Sequence, residues 1–70
     1  MAYAIYAMSG EIVVTNEVEE TLEAARTRAC QYADKYGIEI DRVDIDDYDT
    51  NAPVTCYRRN IYRWDWEVMA

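Results

Sequence analysis

Tyr3, Ile5 and Ala7 occupy alternate positions near the start of the chain, and Ile12 and Val14 resume the alternation after Ser9-Gly10. A period of two marks strands that turn one face to a core. With Ser9-Gly10 as the turn, Ala7 pairs with Ile12 and Ile5 with Val14, which puts all four on one face beside Tyr3. Tyr6, Met8 and Val13 then share the opposite face, which is apolar for a surface facing water.

The period changes to steps of three and four through Val18, Leu22, Ala25, Ala29, Tyr32 or Ala33, and Tyr36, predicting an amphipathic helix. Asn16 reads as its N-cap with Glu19 as capping-box partner, and Glu17, Glu19 and Glu20 suit the positive end of the helix dipole. A start nearer Thr21 is the alternative. Gly37 suits the residue just past the helix end, with Ile38 supplying the hydrophobic contact that often follows. Glu23, Arg26, Arg28 and Asp34 form a solvated face.

Val43 and Ile45 alternate with Asp44 and Asp46 as a third strand, and the run from Tyr48 to Pro53 has turn chemistry. Val54 and Cys56 resume the alternation, which Tyr62, Trp64, Trp66 and Val68 continue. A three-residue turn at Arg59-Asn60-Ile61 sets Arg58 against Tyr62, Cys56 against Trp64 and Val54 against Trp66, with one bent strand as the alternative. The expected fold is a single α+β domain over residues 1–70. One helix packs on one face of a four- to five-stranded antiparallel sheet, in ββαββ or ββαβββ order.

Composition adds a stability constraint. A chain of 70 residues buries only about 60 % of its unfolded surface, so an oligomer or a bound partner is a natural supplement. A hydrophobic fraction of 51 % excludes a disordered acidic tail. There is no Phe, Leu22 is the sole leucine, and seven Tyr and two Trp carry the aromatic content, which suits half-exposed positions and interfaces.

Charge sets the class of partner. Fourteen acids against seven bases, with no His, give a net charge of −7. Such a field repels nucleic acid and anionic membrane and speeds encounter with a basic protein. Cys30 and Cys56 make no disulfide framework, and the apolar start from Met1 to Met8 lacks a basic flank and is too short to span a membrane. The expected location is the cytosol, with reduced thiols.

Candidate chemistry is sparse. Gly10 and Gly37 are the only glycines, so no phosphate-cradling loop exists, and Ser9, the only serine, lies in the first turn. Without His, acid–base work would fall to a tuned carboxylate, Lys35 or a tyrosine, on a fold too thin for a deep pocket. A non-enzymatic role without cofactor is expected. Asp47-x-Asp49-x-Asn51 matches the first ligands of a calcium loop, but Ala52, Pro53 and Arg58 stand where that loop needs its Gly and its closing Glu. A turn held by local hydrogen bonds is the better reading, with no metal.

Cys30 and Cys56 read as two small buried hydrophobes that could lie near each other. Tyr62, Trp64 and Trp66 read as core and not as a base-stacking platform. Arg58, Arg59 and Arg63 are expected to pair with Asp65 and Glu67.

The acids remain. They fall in two blocks, Glu17 to Glu23 and Asp41 to Asp49. Carboxylates on a rigid surface imitate a phosphate array and can occupy the Arg/Lys groove of a nucleic-acid-binding protein. The candidate partner-binding residues are Glu17, Glu19, Glu20, Glu23, Asp41, Asp44, Asp46, Asp47 and Asp49, with Tyr6 and Tyr48 beside them.

Taken whole, the chain resembles the small acidic proteins that bacteriophages encode against host defences, particularly anti-CRISPR proteins. The resemblance is one of overall type: a short, acidic chain without histidine, one helix on a small antiparallel sheet, and no catalytic signature. It rests on no motif. It implies a role in the bacterial cytosol, occupying the nucleic-acid-binding surface of a CRISPR surveillance complex or nuclease by charge mimicry, with no direct contact to nucleic acid or membrane. The alternative is a homodimer or accessory subunit that pairs sheet faces through Tyr6, Met8 and Val13.

Overall fold

The computed structural model describes residues 1–61 and 63–68. The chain runs β1 (Tyr3–Ser9), β2 (Ile12–Glu19), α1 (Leu22–Tyr36), a short 3-10 turn (Gly37–Glu39), β3 (Arg42–Asp47), β4 (Pro53–Arg59) and β5 (Trp64–Val68). The order is thus ββαβββ, an α+β fold in which one helix packs on a five-stranded sheet ordered β2-β1-β3-β4-β5. Every neighbouring pair is antiparallel. Because β1 lies between β2 and β3, the helix connecting those two strands has to cross over β1.

That crossing positions the core. Ile5 and Ala7 of β1 and Val43 and Ile45 of β3 meet Ala25, Ala29 and Tyr32 of α1, and Ile40 closes the end. Ile5 pairs with Ile45 and Ala7 with Val43, so the four side chains form a compact square on one sheet face. Ala25 and Ala29 stand one turn apart on one stripe of the helix, and their small size lets the helix backbone approach the β-branched residues below. Leu22, Tyr36 and Tyr3 pack around this centre, with Tyr57, Trp64 and Trp66 extending it over β4 and β5.

The helix begins later than the capping-box pattern predicts. Thr21 is the N-cap, its Oγ1 accepting from the Ala24 amide at 3.1 Å, which is the alternative start. Asn16, Glu17, Val18 and Glu19 belong to β2 instead. At the other end Gly37, with φ of 53°, donates its N–H to the Ala33 carbonyl as expected of a residue past a helix end. Ile38 is 87 % exposed, so the expected apolar contact there is not made.

Both hairpin registers differ from the sequence expectation. Gly10 and Glu11 form the first turn, with Gly10 at φ 61°, and Ser9 pairs with Ile12 and Met8 with Val13. A bulge at Val14 then brings Thr15 opposite Ala7 and Glu17 opposite Ile5. Ile12, opposite Ser9, keeps the parity of the helix side, yet Ile12 and Val14 are exposed because β2 is an edge strand beyond the helix's main contact with β1 and β3.

At the second hairpin Tyr57 pairs with Trp66 and Arg59 with Trp64, a shift of odd length that exchanges the two faces of β4. Tyr57 thereby lies 5.4 Å from the Trp64 ring and 4.4 Å from the Trp66 ring, centroid to centroid. Tyr57 thus takes the core-side place expected for Cys56, while Val54 still packs against the core. Cys56 turns to the open face between Asp44 and Glu67. The expected partner of Arg58, Tyr62, lies outside the described residues.

Candidate partner-binding surface

The antiparallel order brings the start of β1 and the ends of β2 and β3 to one end of the sheet. Tyr3 pairs with Glu19 on one side and Asp47 on the other, and Ala4 pairs with Val18 and Asp46. Two acidic segments remote in sequence thus flank a single strand, about 10 Å apart at two strand spacings. Glu20, Glu23 and Asp49 are exposed at this end. The helix N-terminus with its Thr21 cap points the same way, and its partial positive charge eases the crowding of carboxylates.

Local hydrogen bonds shape the β3–β4 turn. One Asp47 carboxylate oxygen accepts from the Asp49 amide at 2.8 Å and the Thr50 amide at 3.3 Å, and Asn51 adopts φ 63°. This is the side-chain-to-backbone turn that Asp and Asn favour. The Tyr48 amide donates to the Ala2 carbonyl at 3.0 Å, tying the turn to the start of β1, while the Tyr48 side chain is 56 % exposed. An aromatic ring therefore stands out among the acids.

Some of the candidate acids are engaged by a base or lie elsewhere. Glu17 and Glu19 lie on the helix side of β2, where Arg28 reaches both: Nε is 3.1 Å from Glu17, and Nη2 is 2.9 Å from Glu19. The hydrogen bond to Glu19 is the main reason the guanidinium pKa rises. Burial raises the Tyr32 phenol beside this cluster, with Glu17 adding to the effect. Asp41 is at the far end, where its Oδ2 accepts from the Gly10 amide at 3.2 Å and Arg42 donates to the Gly10 carbonyl at 2.9 Å. Its task there is to clamp the first hairpin.

Asp44 and Tyr6 are cross-strand partners in the middle of the open face, and Asp44 is paired with Arg42 at 3.2 Å. Asp46 has no ion-pair partner among the described residues; partial burial first, and the Asp44 charge second, raise its pKa above the usual carboxylate value. Four of the seven bases lie toward the end opposite the acidic one, beside acids of their own. Arg42 pairs across the sheet with Arg58, Arg59 follows and donates to the Ile40 carbonyl, and Arg63 lies in the adjoining connection. Arg58 binds Glu67 across the sheet at 3.2 Å, as expected from the sequence, whereas Arg63 binds Asp65 at 3.1 Å along its own segment.

Opposite the helix, the open face divides along the strands. Its β2–β1 half carries Val13, Val18, Met8, Tyr6 and the buried Ala4, and its β3–β5 half is charged. Cys56 is buried within the charged half, and desolvation with the Asp44 neighbour pushes its thiol up to about 12. Cys30 is exposed on α1, on the other side of the sheet beside the Tyr57 hydroxyl, so the two cysteines are not neighbours.

Among the described residues no helix is long and apolar enough to cross a membrane. No protein family, curated protein or solved structure matches this chain. Sequence reasoning named all the acids of the crowded end; it missed the role of Tyr3 as the bridge between them. The period-two pattern contains Tyr3, but only the order β2-β1-β3 gives it two acidic neighbours.

Proposed function

We propose that this protein is a non-enzymatic inhibitor that inserts its acidic end into a basic nucleic-acid-binding groove of a host defence complex. It acts in the manner of an anti-CRISPR protein, by charge mimicry that blocks target DNA. The observation that carries this reading is the pairing of Tyr3 with both Glu19 and Asp47, beside the exposed Glu20, Glu23, Asp49 and Tyr48. Acids around a protruding tyrosine suit a partner that offers Arg and Lys with an apolar contact between them.

The test is competition with target DNA for a CRISPR surveillance complex across a salt series. The protein should displace DNA, more weakly as salt rises. The triple variant Glu20→Lys, Glu23→Lys, Asp49→Lys should lose about tenfold or more in affinity while its circular dichroism is unchanged. Full competition by that variant overturns the reading.

A second reading, a homodimer joined through the open sheet face, draws on the apolar strip of Tyr6, Met8, Val13 and Val18. Light scattering over a concentration series separates the two. A dimer that forms without any basic partner favours the second.

A further inference from the structure

β2 is at one edge of the sheet, and its outer side pairs with no strand among the described residues. Exposed edges are usually blunted by charged side chains, lysine above all, by proline, by bulges or by short length. β2 has eight residues, Ile-Val-Val-Thr-Asn-Glu-Val-Glu, and none of them is Lys, Arg or Pro. Ile12, Val13, Val14 and Val18 are 40 % to 70 % exposed. The bulge at Val14 bends the first half away, but Thr15 to Glu19 is a regular ladder whose outer side stays available.

That regular half has two chemically distinct faces. Glu17 and Glu19 share the helix side with Ile5 and Tyr3, whereas Val18 shares the open side with Ala4. Arg28 offsets one of the two negative charges. Beside the end of the strand a groove of about 270 Å³ runs along α1, lined by Glu19, Thr21, Glu23, Thr27, Gln31 and the Arg28 that already pairs with Glu19, so that Glu23 is its acid without an ion pair among the described residues.

We propose that β2 accepts an added strand from a basic partner. The segment it fits is extended, with Lys or Arg at alternate positions over Glu17 and Glu19 and an apolar residue between them against Val18. One basic side chain enters the groove beside Glu23. Backbone hydrogen bonds along the edge supply affinity and the alternating side chains supply selectivity. Charge decides against a second copy as the occupant, because each chain carries −7 and β2 offers acids without a base. This inference rests on the acidic end being a docking surface for a basic protein, and it specifies how that partner is held.

Two synthetic peptides of equal charge test it. Thr-Lys-Val-Lys-Val-Lys-Thr can pair as a strand, and Thr-Lys-Pro-Lys-Pro-Lys-Thr cannot donate the ladder hydrogen bonds at its prolines. Titration of the full-length protein at low salt should show the valine peptide binding at least about tenfold tighter. It should also slow amide exchange within residues 12–19, and Val18→Lys should abolish the difference between the peptides. Equal, salt-sensitive binding of both peptides overturns strand addition and leaves the acidic docking surface standing. Binding of neither overturns both. A dimer in light scattering that Val18→Lys dissolves also overturns the proposal, by making a second copy the occupant.

Discussion

β2 and β3 are built from the same kinds of residue and have opposite fates. Each is rich in β-branched apolar residues interleaved with acids. Val43 and Ile45 of β3 are completely buried, while Ile12, Val13, Val14 and Val18 of β2 remain 40 % or more exposed. The difference is position. β3 lies between β1 and β4 beneath the helix, and β2 lies outside β1 at the edge. β-propensity therefore measured fitness for a pleated surface in both strands, whereas burial was decided by what covers that surface. The edge strand retains the apolar and acidic side chains that a partner can use.

The largest expected effect that sharpens this contrast is in β3. Ile45→Ala, at the centre of the core, should cost about 2–5 kcal/mol in chemical denaturation, a large share of what a domain of this size has available. Ile12→Ala that destabilised as much would break the comparison.

Smaller effects belong to the helix–edge contact. Arg28→Met removes the bridge to Glu17 and Glu19 and should lower the denaturation midpoint only slightly, and less in high salt, because the partners are partly exposed. An effect that is independent of salt would assign Arg28 a packing role instead.

Ile12→Thr and Val18→Thr should change stability by no more than about 0.5 kcal/mol, read as an unchanged denaturation midpoint. A thiol probe at pH 8 should modify Cys30 quickly and Cys56 only at the rate of unfolding, since the buried thiol is pushed to about 12. Rapid loss of both thiols in the native protein would contradict the burial of Cys56.

The smallest effect concerns Asp46. Its native pKa lies above the usual value of 3.8, so the folded state binds its proton more tightly than the unfolded state. Stability from this group is present at low pH and is lost as pH rises through that raised pKa. Asp46→Asn should slightly raise the neutral-pH melting temperature and remove the relative gain in stability that this group gives as pH falls through its raised pKa. A melting temperature that falls at neutral pH would count against this.

Much of the fold was legible because local rules and tertiary packing agreed. The stripe of Leu22, Ala25, Ala29, Tyr32 and Tyr36 and the helix-ending role of Gly37 needed only short-range periodicity. The errors came where one residue of shift exchanges faces. The Val14 bulge put Thr15, Glu17 and Glu19 on the helix side and Val18 on the open side, and the Tyr57 contacts with Trp64 and Trp66 accompany a register that turns Cys56 to the open face. A bulge and a cross-strand aromatic stack are contacts between segments, which alternation within one segment does not encode.

For the candidate surface, the identities of the acids were readable and their grouping was not. Glu20, Glu23 and Asp49 joined one end, Asp41 went to the hairpin clamp, and Asp44 was paired with Arg42.

The amino-acid sequence by itself determined an acidic domain with one amphipathic helix and several strands, because charge is a sum and periodicity is local. Only the tertiary structure decided which acids meet, which apolar strand is left at the edge and which cysteine is buried. The physical reason is that strand order and register are set by packing between distant segments. The core square of Ile5, Ala7, Val43 and Ile45 under Ala25 and Ala29 places β1 between β2 and β3. With β1 there, Glu19 and Asp47 come to lie on either side of Tyr3.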